Sequence, residues 1–315
     1  MSKNRLEMPS VLITGANGWL GRSAISVLTE RYPNEFRIYA LTRNRNNLSN
    51  LHLQNVQVIN YDEVQDIDSP ITGLIHTAFK TQSYITELTA NSYKVENSEI
   101  LNWLDRFLVE KNPAWAISIS SGAAKTYSDK LSKGEPLNSK DLYGELKVQE
   151  EQILTNSSIP NIAIGRLWAA SGRYMQNHKI YALGEFIEKA LNSERIIVKS
   201  SKPVFRRYID AEDFLDVLLN CAWANPRTLI DSGGVLTTIE SLASLVVNEI
   251  AKQTGSKVPI SVGNEEVDPS NQEYFPKSNR FNLLMEQYGI VGLTLEQQIE
   301  RTAIAIRERL DVTQK

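Results

Sequence analysis

The sequence predicts an α/β protein, with a doubly wound parallel sheet followed by a smaller mixed α/β C-terminal lobe. Three observations predict it. Through the first half, short β-rich runs alternate with helical stretches, which is the pattern of a parallel sheet covered on both faces. A glycine-rich turn, Thr14-Gly15-Ala16-Asn17-Gly18-Trp19-Leu20-Gly21, separates the first strand from the first helix. After about Leu167 the alternation gives way to a less regular order.

Each element has its own signal. Val11–Thr14 is a short apolar run stopped by glycine, and Leu20–Tyr32 reads as a helix because Leu20, Ala24 and Leu28 fall four apart. Arg37–Leu41 reads as a second strand, Val56–Asn60 as a third and Gly73–Thr77 as a fourth. Helical spacing covers roughly Ile85–Leu108. Trp115–Ile119 is a fifth strand, ending in Ser120-Ser121-Gly122; a polar loop is expected next, then a helix from about Leu142 to Thr155. Asn161–Arg166 is the sixth strand. Right-handed crossovers between such strands give the Rossmann fold, expected over residues 8–168. Residues 169–315 are expected to form mainly a substrate-binding lobe, with parts near 204–236 returning to the first sheet. Ala169–Lys202 mixes helix and loop, Tyr208–Asp210 reads as a short strand and Phe214–Trp223 as a helix. Asp231–Thr238 carries the turn pair Gly233-Gly234, and Glu240–Thr254 and Leu295–Leu310 are amphipathic helices.

Composition narrows the function. The 315 residues are 42% hydrophobic and 23% charged, an ordinary globular balance. A net charge of -3 gives no basic surplus for nucleic acid or an anionic membrane. No apolar run approaches the ~20 residues of a membrane span, and Met1–Pro9 lacks the apolar core of a signal peptide. Cys221 is the only cysteine, set in an apolar stretch, so no intrachain disulfide or thiolate metal site forms and a reducing, cytoplasmic setting is expected. His52, His76 and His178 are scattered, which argues against a histidine metal site.

The glycine turn points to a dinucleotide. Gly15 permits the tight turn, Gly18 lets backbone approach a pyrophosphate, and Gly21 allows close packing of helix on strand. The N–H groups at Asn17, Gly18, Trp19, Leu20 and Gly21 then face phosphate oxygens at the helix start. The end of the second strand, Leu41-Thr42-Arg43-Asn44-Arg45, lacks the carboxylate that would hold a ribose 2′-hydroxyl. Arg43 stands there instead and Arg22 follows the last glycine, so NADP is favoured over NAD. Asp62, after the third strand, is a candidate acceptor for the adenine amino group.

Tyr143-Gly-Glu-Leu-Lys147 places a phenol and an ammonium one helical turn apart. A nearby cation favours phenolate and lowers a tyrosine pKa from about 10, making the residue a usable acid or base. Such a pair alone is weak evidence. Its weight comes from following a strand that ends in Ser120-Ser121, because ligands bind at the carboxyl ends of parallel strands. Ser121 is the candidate hydroxyl that orients a substrate oxygen, with Ser120 as the alternative. Lys147 is also a candidate for holding the nicotinamide ribose.

These residues resemble the extended short-chain dehydrogenase/reductase family, also called the NAD-dependent epimerase/dehydratase family, over nearly the whole chain. Thr14–Gly21 is similar to its TGxxGxxG loop, and Ile75-His76-Thr77-Ala78 to its cofactor-lining HxA element, which adds Thr77 and Ala78 to the cofactor contacts. Asn97 falls where the family has a supporting helix asparagine, and Ser121, Tyr143 and Lys147 match its catalytic set. Arg207–Asp213 and Gly233–Leu242 resemble two of its later segments. Two departures stand out. The loop after Ser121 is one residue longer than the epimerase pattern, and the threonine–aspartate–glutamate triplet of sugar dehydratases is missing. The resemblance implies hydride transfer at a carbinol or ketone carbon, with a nucleotide sugar as the substrate class, and a homodimer built on the long helix and the Tyr143 helix. Reductase chemistry on a 4-keto sugar leads, tilted by Arg43; an epimerase with retained cofactor and a non-catalytic NADP sensor are the alternatives. Arg173, Lys179, Arg206 and Arg280 are candidate phosphate contacts in the second lobe.

Overall fold

The computed structural model describes residues 8–48, 53–86, 89–224, 226–266 and 272–313. His52 lies outside them. The chain divides into two compact units, Met1–Arg166 with Leu218–Ile230, and Leu167–Val217 with Asp231–Lys315.

The first unit is built on a seven-stranded parallel sheet. Its strands are β1 (Ser10–Thr14), β2 (Arg37–Leu41), β3 (Val56–Ile59), β4 (Ile71–His76), β5 (Trp115–Ser121), β6 (Asn161–Leu167) and β10 (Thr228–Asp231). They lie in the order β10-β6-β5-β4-β1-β2-β3, so the direction of winding reverses beside β1. Strands β1, β4 and β5 are nearly all buried, as strands covered on both faces must be. Helix α1 (Trp19–Glu30) connects β1 to β2, α2 (Ala90–Lys111) connects β4 to β5, and α3 (Gly122–Lys133) and α4 (Leu142–Asn156) connect β5 to β6. Gly73 on β4 has no room for a side chain, because a Cβ there would lie 2.1 Å from the Trp115 ring. That indole in turn meets Trp223 edge-on, with ring centres 6.2 Å apart.

Two expectations about this unit need correction. The long helix begins at Ala90 and runs to Lys111, rather than covering Ile85–Leu108. Thr89 caps it by accepting from the Ser92 N–H, and Asn112, in the left-handed region, ends it. Ile85 lies instead in a separate 3-10 turn, Gln82–Thr86. The segment after Ser121 is not a loop but helix α3. The helix buries only Gly122 and Ala124, so its apolar signal is faint. Capping holds it at both ends, through the Ser121 hydroxyl at the start and Gly134 at φ 68° after its last turn.

Of residues 204–236, Thr228–Asp231 joins the large sheet as β10. Two further strands that begin within this stretch belong to a separate three-stranded sheet in the second unit, where β9 (Phe205–Asp210) runs between β11 (Val235–Thr238) and β7 (Ala169–Ser171). The second unit also pairs β8 (Ile196–Val198) with β12 (Ile260–Val262). Helices α5 (Ala182–Leu191), α7 (Ile239–Thr254), α8 (Arg280–Gln287) and α9 (Leu295–Thr313) complete it, and α6 (Ala211–Ala224) links the units along the chain. Cys221, on α6, is buried. Among the described residues no helix is long and apolar enough to cross a membrane.

Candidate active site

The site grows out of the β1–α1 turn. Gly15 takes φ 63°, and a Cβ there would come within 2.8 Å of the Ala78 backbone. A Cβ on Gly21 would lie 2.3 Å from the Gly15 carbonyl oxygen, so α1 and the turn touch through backbone. Gly18 is the residue before the helix and has no side chain to cap it. The start of α1 therefore presents backbone N–H groups to a ligand, which suits a phosphate. This close-packed glycine turn fits the pyrophosphate of a dinucleotide. Asn17 braces it, accepting from Arg22 through its carbonyl oxygen (3.2 Å) and its side-chain Oδ1 (2.9 Å). Arg22 thus holds the loop. Trp19 and Leu20 form the first turn of α1.

Thr14 ties this turn to the end of β4. Its hydroxyl accepts from the Thr77 N–H (3.1 Å) and the Ala78 N–H (3.2 Å), while the Thr77 hydroxyl donates to the Thr14 carbonyl (2.6 Å). Two accepted bonds use both lone pairs of the Thr14 oxygen, so its proton must go to His76 Nδ1, 2.9 Å away. The His76 proton then sits on Nε2, a buried atom that meets no partner. Burial holds the His76 pKa down at about 4, so the ring is neutral at physiological pH. His76 packs beneath the site as a fixed neutral ring.

Arg43 is exposed at the carboxyl end of β2, and its charge acts on the Tyr61 phenol. Arg45, also near that position, pairs with Glu63. Asp62 is exposed in the turn after β3. No carboxylate from Leu41–Arg45 competes with Arg43.

The structure brings Ser121, Tyr143 and Lys147 together. The Tyr143 and Ser121 hydroxyls share a hydrogen bond. The Ser120 hydroxyl points elsewhere, donating to Glu151 at 2.5 Å, and Arg166 clamps that same carboxylate at 2.8 and 2.7 Å. Gly144 lets α4 press against α3, since a Cβ there would lie 2.5 Å from the Ala123 carbonyl oxygen. Lys147 is only 4% exposed. Its ammonium donates to the Ile119 carbonyl (2.9 Å) and to Glu150 (2.7 Å), and lies 3.7 Å from the centre of the Phe79 ring. Asn97 receives the Lys80 N–H at 2.9 Å and donates to the Lys80 and Tyr93 carbonyls, which pins the segment carrying Phe79.

One electrostatic expectation is overturned. The spacing of Tyr143 and Lys147 predicts an acidified phenol, yet its pKa is pushed up to about 12. Burial is the main cause and the Glu150 charge adds to it, against the opposing bond from Ser121. Neither Phe79 nor Glu150 was identified from the sequence. Glu150 stands three residues after Lys147, on its face of the helix, but Glu150-Glu151 reads as a solvated charge pair until strand β5 is seen beneath it.

In the second unit three of the four candidate phosphate contacts have other partners. Arg173 pairs with Glu212 at 2.7 Å and Lys179 with Glu188 at 3.1 Å. Arg206 lies over the Tyr274 ring at 5.4 Å, and Tyr274 packs on Trp168 with ring centres 4.8 Å apart. Arg280 opens α8.

The chain belongs to the NAD-dependent epimerase/dehydratase family, whose model matches residues 11–228. No curated protein matches the sequence. Among solved structures, it is similar to a UDP-N-acetylglucosamine 4-epimerase from Methanobrevibacter ruminantium, with 15% identity and a TM-score of 0.73 over 96% of this chain and 99% of that one. It is also similar to a UDP-glucuronic acid 4-epimerase from Bacillus cereus, solved with UDP-glucuronic acid and NAD, with 16% identity and a TM-score of 0.72 over 95% and 99% of the two chains. A dTDP-glucose 4,6-dehydratase from Bacillus anthracis, solved with NAD, matches at 13% identity and a TM-score of 0.69 over 96% and 98%. At these identities the likeness is one of fold.

Proposed function

We propose that this chain is an NADP-dependent reductase of a carbonyl carbon, with a nucleotide-linked 4-keto sugar as its substrate class. The observation that carries the reading is the Ser121–Tyr143 hydroxyl pair at the carboxyl end of β5, with Tyr143 held as a protonated phenol. The glycine turn, Thr77 and Ala78 would hold the dinucleotide, and Arg43 would take a 2′-phosphate. When bound, the reduced nicotinamide supplies a hydride. Ser121 donates a hydrogen bond to the carbonyl oxygen and orients it. Tyr143 releases its proton to that oxygen as negative charge develops there, so the carbonyl becomes an alcohol. Lys147 and Asn97 keep the floor of the site in place.

Oxidation of NADPH by the purified protein, offered a panel of nucleotide-linked 4-keto-6-deoxy sugars with NADH in parallel, tests the reading. Consumption with one sugar and a preference for NADPH supports it. Cofactor binding without consumption rejects it for those substrates and leaves the second reading, an epimerase with retained NAD, which is favoured by the NAD and nucleotide sugar bound to the UDP-glucuronic acid 4-epimerase. An NADP sensor without turnover would be unaffected by Tyr143→Phe. A homodimer through α2 and α4 is part of the proposal, and the mass in solution tests it.

A further inference from the structure

We infer that Glu150 is the buried counter-ion of Lys147 and a positioning residue that keeps Tyr143 a proton donor. The inference rests on the reading of Tyr143 as the residue that moves the proton. Glu150 is 1% exposed, and both of its oxygens are committed. One receives the Ser118 hydroxyl from β5 and the other the Lys147 ammonium. The ammonium is likewise enclosed, by the Ile119 carbonyl, Glu150 and the face of Phe79. A buried carboxylate survives only where charge and hydrogen bonds compensate it, and here Lys147 is its compensation.

The titratable groups facing Glu150 come from two elements. His76 stands on β4, in register with Ser118 on β5, and is neutral. Lys147 and Tyr143 lie on α4 itself. Tyr93, from α2, adds a further phenol near Tyr143. Lys147 is therefore the one cation of this group, one helical turn from Tyr143, and its charge is paired with a carboxylate three residues further along the helix. A lysine without that partner would favour the phenolate and equip Tyr143 to take a proton from an alcohol. With the partner in place, Tyr143 stays loaded with the proton that a reduced carbonyl needs. Glu150 thus favours the reductive direction of the chemistry.

Phenolate absorbance of the protein without substrate, titrated from neutral to alkaline pH, provides the test. Subtracting the Tyr143→Phe titration isolates Tyr143. In the wild type this difference should show no phenolate forming below about pH 10. In Glu150→Gln it should show one whose midpoint falls by about one to three pH units. In Lys147→Met/Glu150→Gln the fall should vanish, because no cation is left to act. A Glu150→Gln midpoint unchanged from the wild type overturns the assignment, as does a fall that persists without Lys147. Should Glu150→Gln fail to fold, Lys147→Met/Glu150→Met leaves no lone charge, and its Tyr143 must titrate with the wild type's; displacement in either direction overturns the assignment. The titration needs no substrate, so the two readings fail separately. A shifted titration with no carbonyl reduced keeps the counter-ion and rejects the reductase, whereas reduction with an unmoved titration does the reverse.

Discussion

Gly21→Ala puts the dinucleotide cradle to a direct test. The added methyl carbon would lie 2.3 Å from the Gly15 carbonyl oxygen and 2.6 Å from Ala16 Cα. Both are backbone atoms, so no side-chain rotation relieves the overlap and the turn itself must move. Overpacking of this kind costs about 1–3 kcal/mol of stability. At about 2–4 °C per kcal/mol for a large domain, the melting temperature should fall by roughly 2–12 °C. Movement of the turn also carries the N–H groups at the start of α1 away from a phosphate. Losing one hydrogen bond to a charged group costs about 1.5–3 kcal/mol, or roughly a ten- to hundredfold rise in the dissociation constant. Gly73→Ala is the matched control, because its methyl would meet the Trp115 ring 2.1 Å away at the other end of β4. The assay is dinucleotide binding by fluorescence titration, beside thermal melts of both variants. Both should melt lower, and only Gly21→Ala should lose cofactor affinity. If Gly21→Ala is destabilised yet binds NADPH like the wild type, the turn is not the cradle.

Other outcomes follow from the same geometry. Ser121→Ala should lower turnover on whichever substrate is found by about a hundredfold or more, whereas Ser120→Ala, which removes only a bond to a carboxylate already clamped by Arg166, should leave turnover close to the wild type; equal losses would reject the assignment of Ser121. Arg43→Ala should weaken NADPH binding about tenfold or more with NADH affinity unchanged, and parallel losses for the two cofactors would remove Arg43 from the phosphate site. Asp210 is fully buried with one carboxylate oxygen unpartnered, and burial, with the neighbouring acidic groups, raises its pKa to about 6 against the pull of Arg301. A folded-state value above the unfolded one means the folded protein binds the proton more tightly, so this group's contribution to stability is present at low pH and is lost as pH rises from about 4 to about 6. The loss is on the order of 3 kcal/mol, and denaturant melts across that range should show a flatter slope for Asp210→Asn than for the wild type.

Much of the first unit is legible because its signals are local. Strand β2 matches its expected bounds, Arg37–Leu41, and β1 and β3 differ from theirs by one residue. The glycine turn is legible for the same reason, since Gly15, Gly18 and Gly21 each answer a constraint set within a few residues. Helix α3 is not, because its stability comes from caps and from the glycine contact with α4 rather than from an apolar stripe. Phe79 and Glu150 are illegible for a different reason. A phenylalanine after an HxA segment and a glutamate beside another glutamate carry no information until Lys147 is placed between them. The acidity of Tyr143 is not legible because the spacing names the cation but neither the burial that raises the phenol's pKa nor the carboxylate that adds to it.

The way α4 meets β5 explains why these residues act together. Lys147 stands four residues after Tyr143, and Glu150 and Glu151 stand three and four after Lys147, so the two carboxylates flank the stripe that Tyr143 and Lys147 form. Together they lie along the last four residues of the strand: Tyr143 bonds Ser121, Lys147 bonds the Ile119 carbonyl, Glu150 receives Ser118 and Glu151 receives Ser120. Helix and strand usually meet through apolar side chains, which tolerate sliding. A hydrogen-bonded seam does not, because a shift of one residue would leave buried carboxylates and hydroxyls without partners. The seam therefore sets the height of the Tyr143 hydroxyl at the end of the sheet. Burying two carboxylates makes sense as part of that function, since packing alone would be served as well by leucine.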